Sequence, residues 1–310
     1  MTTSSAPGKI ILFGEHAVVY GRPALAAPVT QVMATATVSA NSRGGVWVEA
    51  PNINLSAELS SLAPNHPLVS VINSVFSNLK IKRPPACTVY LQSTIPVAAG
   101  LGSGAAVSVA ILRALSAFLG KPFTDEKVNG LAFEAEKIYH GMPSGIDNTV
   151  VTYARPVYFI KDQLIKTFRV GAPFTIVIGD TGISAPTKES VGALHKLHKA
   201  NPARWEKVFD RVGEIVWDAR QAIERGDIPD LGKLMDANQA LLQEMTVSSA
   251  ELDTLIETAR KSGALGAKLS GGGRGGNMIA LVTKEKAPNM AEALLTAGAK
   301  RAIITTIQPK

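Results

Sequence analysis

The sequence predicts an α+β protein of two domains, and three observations support this prediction. The chain has 310 residues, which is longer than one hydrophobic core usually organises. Strand-like and helix-like segments are mixed in the first half, whereas the second half opens with a buried-type strand and continues with long amphipathic helices. We place the boundary near residues 166–171, which gives an N-terminal domain of residues 1–168 and a C-terminal domain of residues 169–310.

Composition narrows the possible partners. Hydrophobic residues make up 46% and charged residues 18%, as in ordinary globular proteins, and the formal net charge is +7. Lys and Arg are scattered without interleaved aromatic residues, so we expect a small anionic substrate and no nucleic acid. No apolar run reaches the length of a membrane span and no signal-peptide pattern is present, so we expect a cytoplasmic protein without a membrane partner. The single cysteine, Cys87, excludes disulfides within the chain and cysteine metal clusters.

The first apolar segment contains polar residues in unusual company. Residues 9–13 predict a strand and residues 17–20 its hairpin partner. Lys9, Glu15 and His16 stand within this apolar frame, which favours a site over a solvated face. Taken singly, a hydrogen-bonded core histidine and a surface lysine are the simpler interpretations.

The next elements follow from hydrophobic periodicity. Residues 32–40 and 46–50 predict two strands, and residues 51–65 predict loops. Apolar positions between residues 66 and 79 recur at helical spacing, with His66 at the start of the helix.

A glycine-rich loop at residues 95–106 organises the first half. It lies between a strand predicted at residues 88–93 and a helix predicted at residues 107–119. Such a loop can present backbone N–H groups to a phosphate at the positive end of a helix dipole, which indicates nucleotide binding. Neither GxxxxGK(S/T) nor GxGxxG is present, so a third type of phosphate loop is required. A glycine-rich turn before a core helix is the alternative.

Two carboxylates follow in largely apolar surroundings. Glu136 lies near the end of a helix predicted to begin at residues 124–126, and Asp147 lies in a second loop and helix at residues 142–151. An unpaired carboxylate in apolar surroundings is costly, so each should face a metal, another cation or solvent. Either residue alone could be an ordinary surface acid.

The second half contains another glycine cluster, residues 271–276, which Arg274 interrupts. Apolar strand-like segments flank the cluster, which argues against a flexible linker, and the Arg274 guanidinium could give a phosphate two hydrogen bonds. A strand at residues 157–160 closes the first half. The second half is predicted to have a buried strand that begins at residue 174 and runs into a turn at residues 179–182, further strands at 277–282 and 301–307, and helices at 187–199, 203–225, 227–244, 250–262 and 289–298.

Three of these segments, in this order and separation, resemble the motifs of the GHMP small-molecule kinases. They read SAPGKIILFGEHAVVYG from Ser5, PVAAGLGSGAA from Pro96 and KLSGGGRGGNMIAL from Lys268. The resemblance implies an N-terminal mixed β/α domain, a C-terminal ferredoxin-like α+β domain and an active site in the cleft between them. It further implies phosphoryl transfer from ATP with Mg2+, and it leaves a homodimer open.

The resemblance also assigns roles to individual residues. Asp147 matches the catalytic aspartate and Lys9 its neighbouring lysine. The implied substrate-binding residues are Glu15, His16, Ser144 and Thr187. The implied ATP-binding residues are Pro96, Gly100, Leu101, Gly102, Ser103, Gly104, Ala105, Gly272, Gly273 and Arg274. Glu136 and Ser103 are the implied metal ligands.

The chain departs from the family pattern at two positions. Gly104 replaces the second serine of the usual GLGSSAA, so the metal site would depend on Glu136, phosphate oxygens and water, with or without Ser103. Arg274 stands where many members have glycine. A relative with a different or phosphorylated substrate, and a catalytically silent ATP-binding sensor or scaffold, are therefore alternatives.

Overall fold

The structure is a computed structural model that describes residues 1–96, 99–140, 143–163, 166–184 and 187–309. The chain divides into two compact units. The first unit comprises Met1–Lys9, Pro28–Val97 and Leu101–Arg155, and the second comprises Ile10–Ala27, Ala98–Gly100 and Pro156–Lys310.

The sheet of the first unit places its strands in the order β4-β3-β5-β2, with β1 beside β2. Its strands are β1 (Thr2–Phe13), β2 (Ala24–Ala40), β3 (Val46–Ala50), β4 (Leu55–Glu58) and β5 (Cys87–Ser93), of which β1 and β2 continue into the second unit. Strand β3 pairs with β5 in parallel, whereas β2 pairs with β5 in antiparallel register. In β2 the side chains of Val32, Ala34, Ala36 and Val38 alternate into the core, because successive residues of a strand point to opposite faces.

The helices of the first unit pack around α2. They are α1 (Pro67–Asn78), α2 (Ser103–Phe118), α3 (Asp125–His140) and α4 (Ile146–Tyr153). Helix α2 contacts α1, α3, α4 and β5, and its buried face is rich in alanine, which lets the neighbouring elements approach closely. This packing fixes the start of α2, which follows the glycine-rich loop directly.

The second unit is built on an antiparallel sheet in the order β11-β8-β10-β9. These strands are β8 (Phe174–Asp180), β9 (Gly266–Ser270), β10 (Asn277–Val282) and β11 (Arg301–Ile307). Two short strands of this unit belong to the other sheet: β6 (Val157–Phe159) pairs with the start of β2, and β7 (Lys166–Thr167) pairs with β6. Every residue of β8, β9 and β10 is buried, which explains the apolar runs of β8 and β10; β9 also buries the charged Lys268.

The helices of the second unit pack on this sheet or on one another. They are α5 (Thr187–Ala200), α6 (Pro202–Arg225), α7 (Ile228–Glu244), α8 (Ala250–Lys261) and α9 (Ala287–Thr296). Helices α7 and α8 pack on β9, and α9 packs on β8 and β11. Strands with helices packed against them confirm the predicted α+β class. None of the helices within the described ranges is both long and apolar enough to span a membrane.

Three sequence predictions need correction. Residues 17–20 form a 3-10 helix and not a strand, because His16 has a positive φ of 63° and the amides of Val18 and Val19 bond to the carbonyls of Gly14 and His16. Helix α2 begins at Ser103, not at residue 107, since Gly102 is left-handed and the small residues after it form the first turn. Strand β4 lies within the segment that was predicted to be loop.

Candidate active site

Within the first unit, the Leu101–Gly102 step of the glycine-rich loop is packed against Lys9. The Lys9 amide donates to the Leu101 carbonyl at 2.9 Å. Gly102 has a φ of 72°, and a Cβ at this position would lie 2.8 Å from Lys9 Cγ. Only glycine meets both requirements, because other residues rarely adopt this φ and would collide with the lysine. The loop therefore enters the N-terminus of α2 with the lysine stem directly beside it.

Lys9 also pairs with a carboxylate. Its Nζ lies 3.0 Å from Asp147 Oδ1; the lysine side chain is 7% exposed and the aspartate side chain 27% exposed. Asp147 lies in the first turn of α4, which begins after Gly145 in the left-handed conformation. The pair thus combines a buried cation with a carboxylate that remains accessible.

Glu136 on α3 lies in the electrostatic field of this pair. It is 2% exposed. The pKa of Glu136 is raised to about 7, chiefly by burial and also by the negative charge of Asp147, while the charge of Lys9 opposes the rise. A buried carboxyl group beside a second carboxylate is a chemical environment in which a divalent cation is stabilised. Among the residues that the structure describes, no group of three or more His, Cys, Asp or Glu side chains could hold a metal ion.

In the second unit, Glu15 is completely buried. It forms an ion pair with Lys268 of β9, and both side chains are 0% exposed. The Lys268 ammonium also donates to the carbonyl of Leu269 at 2.6 Å. Burial lowers the pKa of Lys268, and the charge of Glu15 opposes this effect.

His16 bonds to the second glycine cluster. Its Nε2 lies 3.0 Å from the Gly272 carbonyl, and because a carbonyl only accepts, Nε2 carries the proton. The pKa of His16 is lowered to about 4, chiefly by burial; the hydrogen bond to Gly272 opposes this shift, and the charges of Arg274 and Lys268 contribute to it. The ring is therefore neutral near pH 7, and its Nδ1 is a hydrogen-bond acceptor.

The backbone of the Gly271–Gly276 loop excludes a side chain at Gly273. A Cβ on Gly273 would lie 1.9 Å from the Val247 carbonyl, and the φ of Gly273 is 72°. The Arg274 amide donates to the same carbonyl at 2.8 Å, and Arg274 Nε donates to the Thr246 carbonyl at 3.4 Å. Arg274 is therefore anchored to the turn between α7 and α8.

Asn277, the first residue of β10, contacts residues 99 and 100, which belong to the same unit. Its buried Nδ2 donates to the Ala99 carbonyl. A Cβ on Gly100 would lie 3.5 Å from the same nitrogen, which is ordinary contact. Asn277 thus holds residues 99 and 100 at the end of the second glycine cluster.

The predicted site residues fall into two groups. The first unit holds Lys9, Glu136 and Asp147 together, with Ser144 at the start of α4, where its hydroxyl accepts from the Ile146 amide at 3.3 Å. The second unit holds Glu15, His16, Gly272, Gly273 and Arg274. Ser103 and Gly104 open α2, while Leu101 and Ala105 are buried. The side chain of Thr187 lies outside the described residues.

Sequence reasoning missed Lys268 and Asn277. Lys268 is a charged residue in an apolar strand beside a glycine cluster, which is the same signal that identified Lys9. Its partner Glu15 lies 253 positions away, so no local pattern could reveal the pair.

Comparison with known proteins gives consistent results. The family models for the GHMP kinases N terminal domain and the GHMP kinases C terminal match residues 68–155 and 219–300. The chain is 36% identical to the mevalonate kinase of Thermococcus gammatolerans over 95% of this chain and 93% of the relative. It is 30% identical to L. major mevalonate kinase, solved in complex with R-mevalonate, with a TM-score of 0.85 over 100% of this chain and 97% of that one. Streptococcus pneumoniae phosphomevalonate kinase, at 16% identity and a TM-score of 0.82 over 99% of this chain and 100% of that one, shares the fold.

Proposed function

Since the chain belongs to the GHMP kinase family, we propose that it transfers the γ-phosphoryl group of ATP to the 5-hydroxyl of mevalonate, giving 5-phosphomevalonate and ADP. The predicted GHMP kinase fold is confirmed, and the chain is a kinase. Residues 14–21, 136–148 and 179–189 read GEHAVVYG, EKIYHGMPSGIDN and GDTGISAPTKE, and these segments favour mevalonate over other acceptors within the family. The reaction would belong to the mevalonate pathway of isoprenoid biosynthesis.

The Lys9–Asp147 ion pair is the observation that carries the proposal. Asp147 orients the 5-hydroxyl and accepts its proton as the oxygen–phosphorus bond forms and the bond from phosphorus to the ADP oxygen breaks. The buried Lys9 ammonium lies 3.0 Å from this carboxylate and stabilises negative charge on the attacking oxygen. Phosphoryl transfer asks for little covalent chemistry from the protein, so positioning and charge supply most of the rate.

A magnesium ion fits the chemistry of the first unit. Glu136, whose pKa is raised by burial and by Asp147, would hold it, with Ser103 as a second oxygen ligand. When bound, the ion would neutralise charge on the β- and γ-phosphates. Gly104 provides no ligand, which magnesium tolerates because it keeps several waters.

The remaining predicted residues complete the proposal. The loop from Pro96 to Ala105 holds the ATP phosphates, with Gly272, Gly273 and Arg274 as further ATP contacts, and Glu15, His16, Ser144 and Thr187 serve the acceptor. Domains of residues 1–168 and 169–310 are part of the same proposal, because the two family models match on opposite sides of residue 168. A homodimer and a cytoplasmic location remain predictions.

A coupled ADP-release assay with magnesium, ATP and mevalonate tests the proposal, with phosphorus–proton NMR to locate the new phosphate. We expect phosphate on the 5-oxygen. Phosphate on the 3-oxygen, or turnover with 5-phosphomevalonate alone, would replace the proposal with a different GHMP kinase activity. ATP binding without transfer to any of these acceptors would favour a sensor. Asp147→Asn is the matched control, because it keeps the side-chain shape and removes the base.

A further inference from the structure

The function proposed above gives Lys268 no role, and it assigns Glu15 to the acceptor without using the Lys268–Glu15 ion pair. Lys268 lies in the middle of β9 with no exposed surface, and its ammonium contacts Glu15, the Leu269 carbonyl and, at 5.9 Å from the centroid, the Phe13 ring. Desolvating two charges is costly, and apolar residues of similar volume often give equal or greater stability. A role in folding alone therefore explains the pair poorly.

Each residue of the ion pair is close in sequence to one of the two residues that the His16 hydrogen bond joins. Glu15 precedes His16 directly, and Lys268 is four positions before Gly272, whose carbonyl holds Nε2 at 3.0 Å. His16 itself has a φ of 63°, which a residue with a Cβ rarely adopts unless its surroundings impose it. The ion pair thus joins the segment that carries the imidazole to the strand that leads to its hydrogen-bond acceptor.

This arrangement fixes what His16 can recognise. The Nε2 proton is used by the Gly272 carbonyl, so Nδ1 presents a lone pair. Nδ1 is buried and has no hydrogen-bond partner among the residues that the structure describes. A buried acceptor without a partner costs free energy until a donor arrives, so the ring favours a hydroxyl group and cannot donate to a carboxylate.

We propose that the Lys268–Glu15 ion pair is a positioning device that holds the His16 imidazole in one tautomer, so that Nδ1 accepts a hydrogen bond from the 3-hydroxyl of the acceptor. This inference rests on the proposed function. The 3-hydroxyl is the donor that remains, because the 5-hydroxyl gives its proton to Asp147 in the proposed reaction. Lys268 acts through His16 and does not contact the acceptor.

Kinetics of Lys268→Met test the proposal. We expect the KM for mevalonate to rise about tenfold, the value of one lost hydrogen bond, while the KM for ATP changes less than about twofold. With 5-hydroxy-3-methylpentanoate as the acceptor, which lacks the 3-hydroxyl, the KM of the variant should equal that of the wild type. An equal rise in both KM values, or a rise that persists with the deoxy analogue, overturns the proposal.

Two further variants separate positioning from folding. The double variant Lys268→Met/Glu15→Leu removes both buried charges. Compared with Lys268→Met, it should recover thermal stability but keep the high KM for mevalonate. A return of the KM to the wild-type value would overturn the proposal. Ser270→Ala is the matched control on the same strand, because Ser270 Oγ donates to the Ile11 carbonyl at 2.7 Å. It should lower the Tm and leave the KM for mevalonate unchanged.

Imidazole nitrogen-15 NMR gives a readout that does not depend on activity. The wild-type protein should show His16 with its proton on Nε2, and Lys268→Met should show a mixture of tautomers. An unchanged tautomer in the variant overturns the positioning role, even if the wild type does not phosphorylate mevalonate. The proposed function fails separately, in the ADP-release assay.

Discussion

The two units each contain a lysine paired with a carboxylate, but the pairs differ in exposure. In the first unit Asp147 keeps 27% of its side-chain surface exposed beside Lys9, whereas in the second unit Lys268 and Glu15 are both fully buried. A carboxylate with accessible surface can meet a substrate and exchange a proton. A fully buried pair can only hold its surroundings in place. Burial, and not residue type, therefore separates a chemical role from a positioning role.

Asp147→Ala should produce the largest change. Removing the proposed base should lower kcat by about 10³-fold or more, because general-base catalysis and hydroxyl orientation are lost together. Binding of ATP, measured by calorimetry, should change by less than about twofold, since Asp147 holds the acceptor side. Turnover close to that of the wild type would remove Asp147 from the chemistry and end the contrast between the two pairs.

Lys9→Met should follow in size. Methionine preserves most of the packing against Gly102 but removes the charge, so we expect kcat to fall by about 10²-fold, as electrostatic stabilisation of the transition state is lost. Steady-state kinetics at saturating mevalonate would measure this effect. A change confined to KM would show that Lys9 only positions the acceptor, as we propose for Lys268.

Gly102→Ala tests whether the glycine-rich loop positions Lys9. The added Cβ would lie 2.8 Å from Lys9 Cγ at a φ of 72°, so the lysine must shift. We expect kcat to fall about tenfold and unfolding to become easier by about 1 kcal/mol, the usual cost of a side chain at a positive φ. Gly120→Ala, where φ is also positive and nothing lies within 4 Å, is the matched control and should change stability alone.

His16 should give the smallest effect, a dependence of stability on pH. Its pKa is lowered from 6.5 to about 4 in the folded protein, so the unfolded chain binds a proton first as the pH falls. The contribution of the neutral ring is present above pH 6.5 and is lost progressively down to about pH 4, at most about 3 kcal/mol in total. Denaturant unfolding of His16→Asn between pH 4 and 7 should show a smaller slope than the wild type. Equal slopes would mean that His16 is not desolvated as described.

Much of the fold could be predicted, because its long elements have strong hydrophobic periods. Helix α6 and strand β10 match their predicted ranges closely, since an amphipathic helix and a fully buried strand both leave local patterns. The apolar run at residues 17–20 was ambiguous between strand and helix, and the positive φ of His16, which depends on contacts distant in sequence, decided it.

The candidate site shows the same limit. Lys9 and Asp147 stood out as charged residues in apolar segments, and the family resemblance linked them. Spacing in the sequence could not show that Lys9 pairs with Asp147 or that Glu15 pairs with Lys268. Both pairings depend on how distant elements come together in the fold. Local signals therefore mark candidate residues, and only the fold identifies their partners.

The most direct test of this account compares steady-state kinetics of Lys9→Met and Lys268→Met with ATP and mevalonate. We predict that Lys9→Met lowers kcat about 10²-fold with little change in KM, and that Lys268→Met raises the KM for mevalonate about tenfold with little change in kcat. If both variants change the same parameter by a similar factor, the two ion pairs do not have separate roles, and the account is contradicted.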